Sequence, residues 1–288
     1  MKTFIAALAA VLVAAPALAQ STDVGGESVG SADLVKAACA EGAVTYYTAQ
    51  SDGDEREIVK PFEQQFACVK VSIISAVTGR LYERMETENQ AGKPQADVLL
   101  ITDEALAQKL IDSKQVRPWT PPVTEKYPAN AKVEGWWYSA SGSLMYPIYN
   151  TEQVSGAEVP KSWKDLVDPR WKGKIATSPI TIGGTGWMQY AFFKQVLGDA
   201  YLKAFVAGAP KLFPSYSAAV LSVARGEIPL GIVSALNDYP VRMQQGAPIA
   251  PLFFPEGTPF TNYPMLLMAS APHPHAAELF ANWYLTKT

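Results

Sequence analysis

The sequence predicts an α/β fold in which helices cover both faces of largely parallel sheets. Strands and helices alternate through residues 33–113 in the order β-α-β-α-β-α, which is typical of parallel sheets. Residues 97–101 are almost wholly apolar, as in a strand that is buried on both faces. A second set of short strands and helices follows over residues 174–234. The chain is therefore expected to contain two α/β units.

The elements of the first unit follow from β-forming runs, helix caps and glycines. Pro61 is expected to kink or shorten its helix, and residues 20–31 are expected to form a loose leader. The predicted helices are 33–40, 54–66, 80–91 and 104–113, the last capped by Thr102-Asp103, and the predicted strands are 44–48, 69–75 and 97–101.

The second unit comes after a proline-rich, irregular stretch over residues 117–138 and an extended strand, Ser143–Tyr149, that is expected to cross between the units. Ser217 is expected to cap the helix 218–225. The other predicted helices are 187–197, 201–207 and 276–285, and the predicted strands are 174–177, 228–234 and 263–269.

Composition excludes several classes of protein. The 288 residues carry a net charge of −3 and contain no basic run, which argues against a nucleic-acid partner. Two histidines leave little for catalysis that depends on histidine. We therefore expect a binding protein rather than an enzyme, with no cofactor and no resident metal.

The amino terminus has the pattern of a secretory signal peptide. Lys2 precedes an apolar run over residues 3–13, and Ala17-Leu18-Ala19 provides the small residues of a cleavage site. Residues 1–19 are therefore expected to be removed after export to the periplasm. In that oxidising compartment Cys39 and Cys68 are expected either to form a disulfide or to remain two buried thiols.

Polar or glycine-containing loops follow several predicted strands. In open α/β sheets, ligands bind beyond the carboxyl ends of the strands, where helix N-termini present free N–H groups. Such residues also serve as ordinary helix caps or turns, so both interpretations stay open. The candidate ligand-binding residues are Gln50, Ser51, Thr78, Gly79, Thr102, Asp103, Gly184, Thr185, Gly186, Trp187, Tyr216, Ser217, Asn237 and Asp238.

The strongest of these loops is Gly183-Gly184-Thr185-Gly186, because its glycines allow backbone N–H groups to approach a ligand closely. It lacks the lysine of a phosphate-binding Walker loop and the spacing of a dinucleotide fingerprint. Trp187 is expected either to stack on a ligand or to begin the buried face of the helix. His273-Pro274-His275 is interpreted as an exposed loop.

Six stretches, in this order, resemble the ferric-ion-binding-protein-like branch of the periplasmic solute-binding proteins of ABC transporters. They are Glu41–Ala49, Gln95–Leu99, Ser162–Leu166, Pro169–Lys174, Ala224–Ile228 and Ala276–Phe280. The resemblance implies a type 2 periplasmic binding fold, in which two α/β lobes joined by crossing strands close on a ligand in the cleft between them. It places residues 31–138 and 265–288 in one lobe and 139–264 in the other, and it implies that the C-terminal part of this second lobe is missing.

The resemblance also bears on the ligand. Ferric members use two adjacent tyrosines, which correspond here to Leu236 and Asn237 and provide no phenolates for Fe³⁺. The anion loop of such proteins corresponds to residues 184–186, and another ligand contact corresponds to Tyr216. We therefore expect a small solute with a carboxylate or phosph(on)ate group, bound by a monomer that delivers it to an ABC permease. The alternatives are a ferric or iron-chelate binder and a secreted hydrolase that uses cleft carboxylates.

Overall fold

Strands and helices alternate as the sequence predicts. The computed structural model describes residues 22–182, 184–234 and 245–286, so the predicted signal peptide and the candidates Asn237 and Asp238 lie outside the described residues. The helices are α1 (Ala32–Glu41), α2 (Asp52–Gln65), α3 (Thr78–Gln90), α4 (Glu104–Asp112), α5 (Gly184–Phe192), α6 (Asp199–Ala207), α7 (Tyr216–Ala224) and α8 (Pro274–Tyr284). The strands are β1 (Asp23–Val24), β2 (Glu27–Ser28), β3 (Ala43–Thr48), β4 (Lys70–Ser75), β5 (Val98–Leu100), β6 (Val116–Arg117), β7 (Lys132–Val133), β8 (Trp137–Asn150), β9 (Ile175–Thr177), β10 (Lys211–Leu212), β11 (Leu230–Ser234), β12 (Ile249–Pro251) and β13 (Phe260–Met268).

A long mixed sheet has the strand order β10-β9-β11-β8-β13-β5-β3-β4. At one end β3 pairs in parallel with β4 and β5, and at the other β9 pairs in parallel with β10 and β11. The two parallel parts are joined by β8, which pairs antiparallel with β13 through residues 138–144 and with β11 through residues 145–149. The predicted crossing strand is therefore confirmed, and it is longer than expected.

Two separate cores lie on either side of this crossing. One is built from residues 24–138 and 263–285 and includes the fully buried Tyr46 and Phe62. The other is built from residues 145–254 and includes the buried Trp163 and Phe193. We refer to the part around β3, β4 and β5 as the first lobe and to the part around β9, β10 and β11 as the second lobe.

Seven of the eight helices begin one to three residues earlier than predicted, and α4 begins at the predicted residue. In three of them, candidate ligand-binding residues that were expected in loops therefore lie in first turns. These are α3, which begins at Thr78, α5, which begins at Gly184, and α7, which begins at Tyr216. The prediction that Ser217 caps α7 is wrong, because the side chain of Ser215 accepts a backbone N–H of the first turn and Ser217 already lies within the helix.

Two further predictions are corrected. α2 is not shortened by Pro61 but continues to Gln65, because Val59 and Phe62 on either side of the proline are buried in the first core and offset the lost hydrogen bond. The region expected to be a loose leader contains the hairpin of β1 and β2, which is held down by the full burial of Val29.

Cys39 near the end of α1 and Cys68 before β4 form a disulfide with an S–S distance of 2.10 Å. Of the two states that the sequence left open, the structure therefore contains the bridge. Among the described residues, no helix combines the length and the apolar character that crossing a bilayer requires.

Candidate functional site

The carboxyl ends of three parallel strands lie side by side at one edge of the first lobe. β4, β3 and β5 are neighbours there, and Thr78, Ser51 and Thr102 follow them in the chain. The hydroxyl oxygens of Thr78 and Thr102 are 3.1 Å apart, and the backbone N–H of Thr102 donates to Thr78 Oγ1 at 3.2 Å. Two of the loops that the sequence singled out are therefore in direct contact.

Side chains already occupy N–H groups at two of the three helix starts on this edge. Ser51 caps α2, and Asp103 Oδ1 accepts two first-turn N–H groups of α4 at 2.9 and 3.0 Å. No side chain caps α3, which begins after Val77, and the space beside Gly79 is open, with nothing within 4 Å of a Cβ built there. Among these three starts, α3 is thus the one without a side-chain cap, although the N–H of Arg80 donates to the carbonyl of Val77 at 2.9 Å.

Gln50 is turned away from the edge and into the protein. Its side-chain amide donates to Glu55 Oε1 at 2.9 Å and to the hydroxyl of Tyr284 at 3.2 Å. Glu55 is fully buried and also accepts from the hydroxyls of Tyr46 and Thr48, each at 3.0 Å. Burial raises the pKa of Glu55, and these hydrogen bonds partly counteract that shift. The side chain of Gln50 is therefore engaged by a buried carboxylate in this structure.

In the second lobe, Gly184, Thr185 and Gly186 of the glycine-bearing motif lie in the first turn of α5, and Gly183 lies outside the described residues. A Cβ at Gly186 would lie 2.7 Å from the carbonyl oxygen of Ile180, so only glycine allows the helix to approach that preceding turn so closely. Helix α5 packs against β13. It thus lies against a strand that pairs with the crossing strand β8.

Two serines hydrogen-bond to each other at the crossing. Ser143 on β8 bonds to Ser234 at the end of β11. Ser143 is fully buried, and Tyr263 on the neighbouring strand β13 is nearly so. Burial raises the pKa of Tyr263, so its hydroxyl remains protonated at neutral pH. None of these three residues is a site candidate from the sequence, because nothing local distinguishes them from ordinary strand residues.

The polar edges of the two lobes meet at β13. The backbone N–H of Ile101 donates to the carbonyl oxygen of Pro264 at 3.1 Å. Thr102 directly follows Ile101, and Pro264 lies on β13, against which α5 packs. Thr102 of the first lobe and helix α5 of the second lobe therefore both lie next to the same crossing strand.

The remaining candidates lie elsewhere in the second lobe. The hydroxyl of Tyr216 donates to Gln189 Oε1 at 3.3 Å, and burial raises the pKa of Tyr216. Ser217 is exposed on α7. Trp187 is 61% exposed and packs its ring against Tyr190, 5.0 Å away, so the interpretation that it begins a buried helix face is wrong.

The described residues contain no group of three or more His, Cys, Asp and Glu side chains that could hold a metal ion. The two histidines lie at the start of α8, and each of them pairs with a carboxylate from another element. His273 Nδ1 lies 2.9 Å from Asp97, and His275 Nδ1 lies 2.6 Å from Glu41. The interpretation of this stretch as an exposed loop is therefore wrong, because Pro274 already begins the helix.

The protein thus has two α/β lobes joined by crossing strands. This arrangement is the fold of periplasmic solute-binding proteins. The chain belongs to the bacterial extracellular solute-binding protein family, whose model matches residues 46–288.

Individual relatives agree with this assignment. The chain is 29% identical over 265 residues to an uncharacterized protein of Haemophilus influenzae, a match that spans 86% of this chain and 74% of that protein. It is 28% identical over 146 residues to a protein of Serratia marcescens named Fe(3+)-binding periplasmic protein, spanning 50% of this chain and 42% of that protein. A solved structure of the periplasmic binding protein AfuA from Actinobacillus pleuropneumoniae, with exogenous fructose-6-phosphate bound, has a TM-score of 0.72 and 25% identity, with 85% of this chain and 80% of that chain covered.

Proposed function

We propose that this protein is the periplasmic substrate-binding component of an ABC transporter and that it binds a small organic anion between its lobes. The observation that carries the proposal is that the Thr78–Thr102 contact at the edge of the first lobe and helix α5 of the second lobe both lie next to the crossing strands, through the bond from Ile101 to Pro264 and the packing of α5 on β13. On closure the lobes would enclose the ligand, and the closed form would dock on a membrane permease.

An anionic group on the ligand is supported by the type of donor at this crossing. Helix N-termini stabilise negative charge because their first N–H groups have no partner within the helix. At α3 no side chain accepts a hydrogen bond from these N–H groups. At α5 the absence of a Cβ at Gly186 allows the backbone of the first turn to pack closely against the neighbouring chain. The sugar phosphate in the AfuA structure is an example of such a ligand in a similar fold. A carboxylate would satisfy the same donors.

Ferric iron is the second candidate, favoured by the name of the Serratia relative. Fe³⁺ prefers several anionic oxygen ligands. Around the crossing, Asp103 serves as a helix cap and accepts two backbone N–H groups, and the described residues contain no group of three or more His, Cys, Asp and Glu side chains that could hold a metal ion. The described part of the site thus offers hydrogen-bond donors rather than anionic ligands, which supports the organic anion over iron.

A hydrolase remains the least supported alternative. The family consists of solute-binding proteins, and the cleft carboxylate predicted in the first lobe, Asp103, is engaged by two backbone N–H groups. We also propose that residues 1–19 are a signal peptide, that the mature protein is a periplasmic monomer, and that residues 31–138 with 265–288 and residues 139–264 form the lobes that move relative to each other.

The proposal is tested by thermal-shift titration of the protein lacking residues 1–19. The ligand set is sugar phosphates, phosphonates, carboxylates and ferric citrate. A ligand that binds only the folded protein must raise the melting temperature, and 100 times Kd corresponds to about 2.7 kcal/mol. Stabilisation by one class of organic anion is expected. Stabilisation by ferric citrate alone would favour the iron alternative, and no stabilisation by any compound would refute the proposal.

A pair of proline variants tests where the anion binds. Thr185→Pro removes an N–H and a hydroxyl at the second residue of α5, a position where a helix tolerates proline. Asp33→Pro makes the same backbone change at the second residue of α1, far from the crossing. We expect Thr185→Pro to weaken binding by tenfold or more and Asp33→Pro to leave it unchanged. Equal affinities of the two variants would exclude the α5 start as the anion site.

A further inference from the structure

A cavity of about 520 Å³ lies inside the second lobe, between α5, α6 and the edge of the sheet at β9 and β10. Thr177 and Ser178 line it where β9 ends, and Phe193 and the α6 residue Leu202 line it from the helices. All of its lining residues fall within residues 177–212, so the cavity is separate from the crossing between the lobes. A cavity of this size is typical of small-molecule sites in proteins.

The walls of this cavity are mainly apolar and carry no charge. None of the described residues that line it is an acid, a base or a histidine. Apolar side chains also form its rim, where Ile180, Val206 and Leu212 are 48%, 66% and 62% exposed. A charged group placed here would lose its hydration without gaining an opposite charge. The cavity therefore favours an uncharged molecule with a large apolar part.

Ser178 gives the cavity a polar group that has no partner. The residue is 2% exposed, and its hydroxyl makes no hydrogen bond in the described part of the chain. Buried hydroxyls in proteins are nearly always paired, because an unpaired one is unfavourable. A ligand that hydrogen-bonds to Ser178 would remove this penalty without breaking an existing bond.

Gln189 on α5 presents a second polar side chain to the same cavity. It is 3% exposed, and its Oε1 accepts from the hydroxyls of Thr177 at 3.2 Å and Tyr216 at 3.3 Å. Within the described residues these bonds use only the oxygen of the amide, so its nitrogen keeps its N–H donors for another group. A few fixed polar groups in an otherwise apolar cavity are the usual composition of a small-molecule site.

We infer that this cavity binds a small uncharged molecule that combines aromatic or aliphatic rings with one hydrogen-bonding group, which pairs with the Ser178 hydroxyl. The site and its ligand class are distinct from the anion site proposed at the crossing. Because every lining residue belongs to the second lobe, binding requires no movement of one lobe against the other.

N-phenyl-1-naphthylamine is the probe that tests the site, because it is uncharged, has a single N–H and fluoresces strongly in apolar surroundings. We expect saturable binding of one molecule to the protein lacking residues 1–19. The sulfonate 1-anilinonaphthalene-8-sulfonate has the same rings and a negative charge, and it should displace the amine at least tenfold less well. Absence of saturable binding, or equal displacement by the sulfonate, would overturn the inference. The amine carries no anionic group, so its binding is decided independently of the proposed anion site.

A pair of surface variants tests the location. Val206→Glu places a carboxylate at the rim of the cavity, and because Val206 is exposed the fold should tolerate the change. The matched control is Val196→Glu, at a valine of the same lobe that is 53% exposed and does not line the cavity. We expect Val206→Glu to weaken binding of the amine at least fivefold and Val196→Glu to leave it unchanged. Equal affinities of the two variants would contradict the assignment.

Ser178→Ala tests the polar contact. Loss of one hydrogen bond should weaken binding of the amine about two- to tenfold. The Tm of the free variant should equal or exceed that of the wild type, because the substitution removes a buried hydroxyl that has no partner. A compound with CH₂ in place of the N–H, 1-benzylnaphthalene, should bind both proteins equally. A lower Tm of the variant, or an equal loss of affinity for both compounds, would refute the role of Ser178.

Discussion

Replacement of Glu55 by alanine removes the acceptor at the centre of a buried network. The hydroxyls of Tyr46 and Thr48, both fully buried, then lose the carboxylate that each reaches at 3.0 Å. A buried donor left without an acceptor costs about 1–3 kcal/mol, so two such donors are expected to lower the free energy of unfolding by about 2–6 kcal/mol. Gln50 and Tyr284 also lose a partner, but they are only partly buried and are able to bond to water instead.

Equilibrium urea unfolding, followed by tryptophan fluorescence and circular dichroism, measures this loss, with an unchanged m-value as a check on the comparison. Glu57→Ala is the control on the same helix, because Glu57 is exposed and pairs only with Lys60 on the surface. Its expected cost is below about 1 kcal/mol. Glu55→Gln retains an acceptor oxygen and should fall between the two. A loss from Glu55→Ala no larger than that from Glu57→Ala would refute this account of the network.

Three more predictions concern stability. Replacing Cys39 and Cys68 by serine should cost about 3–4 kcal/mol in urea unfolding, from the chain entropy of a loop with a sequence separation of 29; a cost below about 1 kcal/mol would contradict it. Gly186→Ala should lower Tm because its Cβ meets a backbone carbonyl, whereas Gly79→Ala, with open space, should keep or raise it; the reverse order would contradict the packing described. Burial raises the pKa of Glu41, but hydrogen bonds from the start of α8 and from the neighbouring imidazole lower it by more, so the net pKa lies below its ordinary value of 4.5. Its stabilisation is thus present above about pH 4.5 and disappears as pH falls through the lowered pKa, so the stability gap between wild type and Glu41→Gln should close in acid and not widen.

The fold was accessible from the sequence because each of its signals is local. The apolar strand at residues 97–101 is buried on both faces, and Gly42 and Gly226 end helices with positive φ angles. Helix starts were less accessible, because Ser215 and Ser217 are equally good caps by composition. Only the backbone path shows that Ser215 has the extended conformation of an N-cap.

The candidate site was only partly accessible from the sequence, for a related reason. Thr78 and Thr102 are predicted to lie at the same edge, because β4 and β5 both pair in parallel with β3 and their carboxyl ends lie together. Their direct contact beyond the end of β3 could not be predicted from the sequence. Tyr263 and Ser143 could not be found in this way, because their place at the crossing depends on the antiparallel pairing of β8 with β13. That pairing has no signature within either strand.

The most direct test of binding at the crossing is a crystal structure of the protein with the anion that stabilises it most. The account predicts density for the charged group between the lobes, about 3 Å from first-turn N–H groups of α3 or α5. A ligand held outside this crossing, with both helix starts in contact only with solvent, would contradict it.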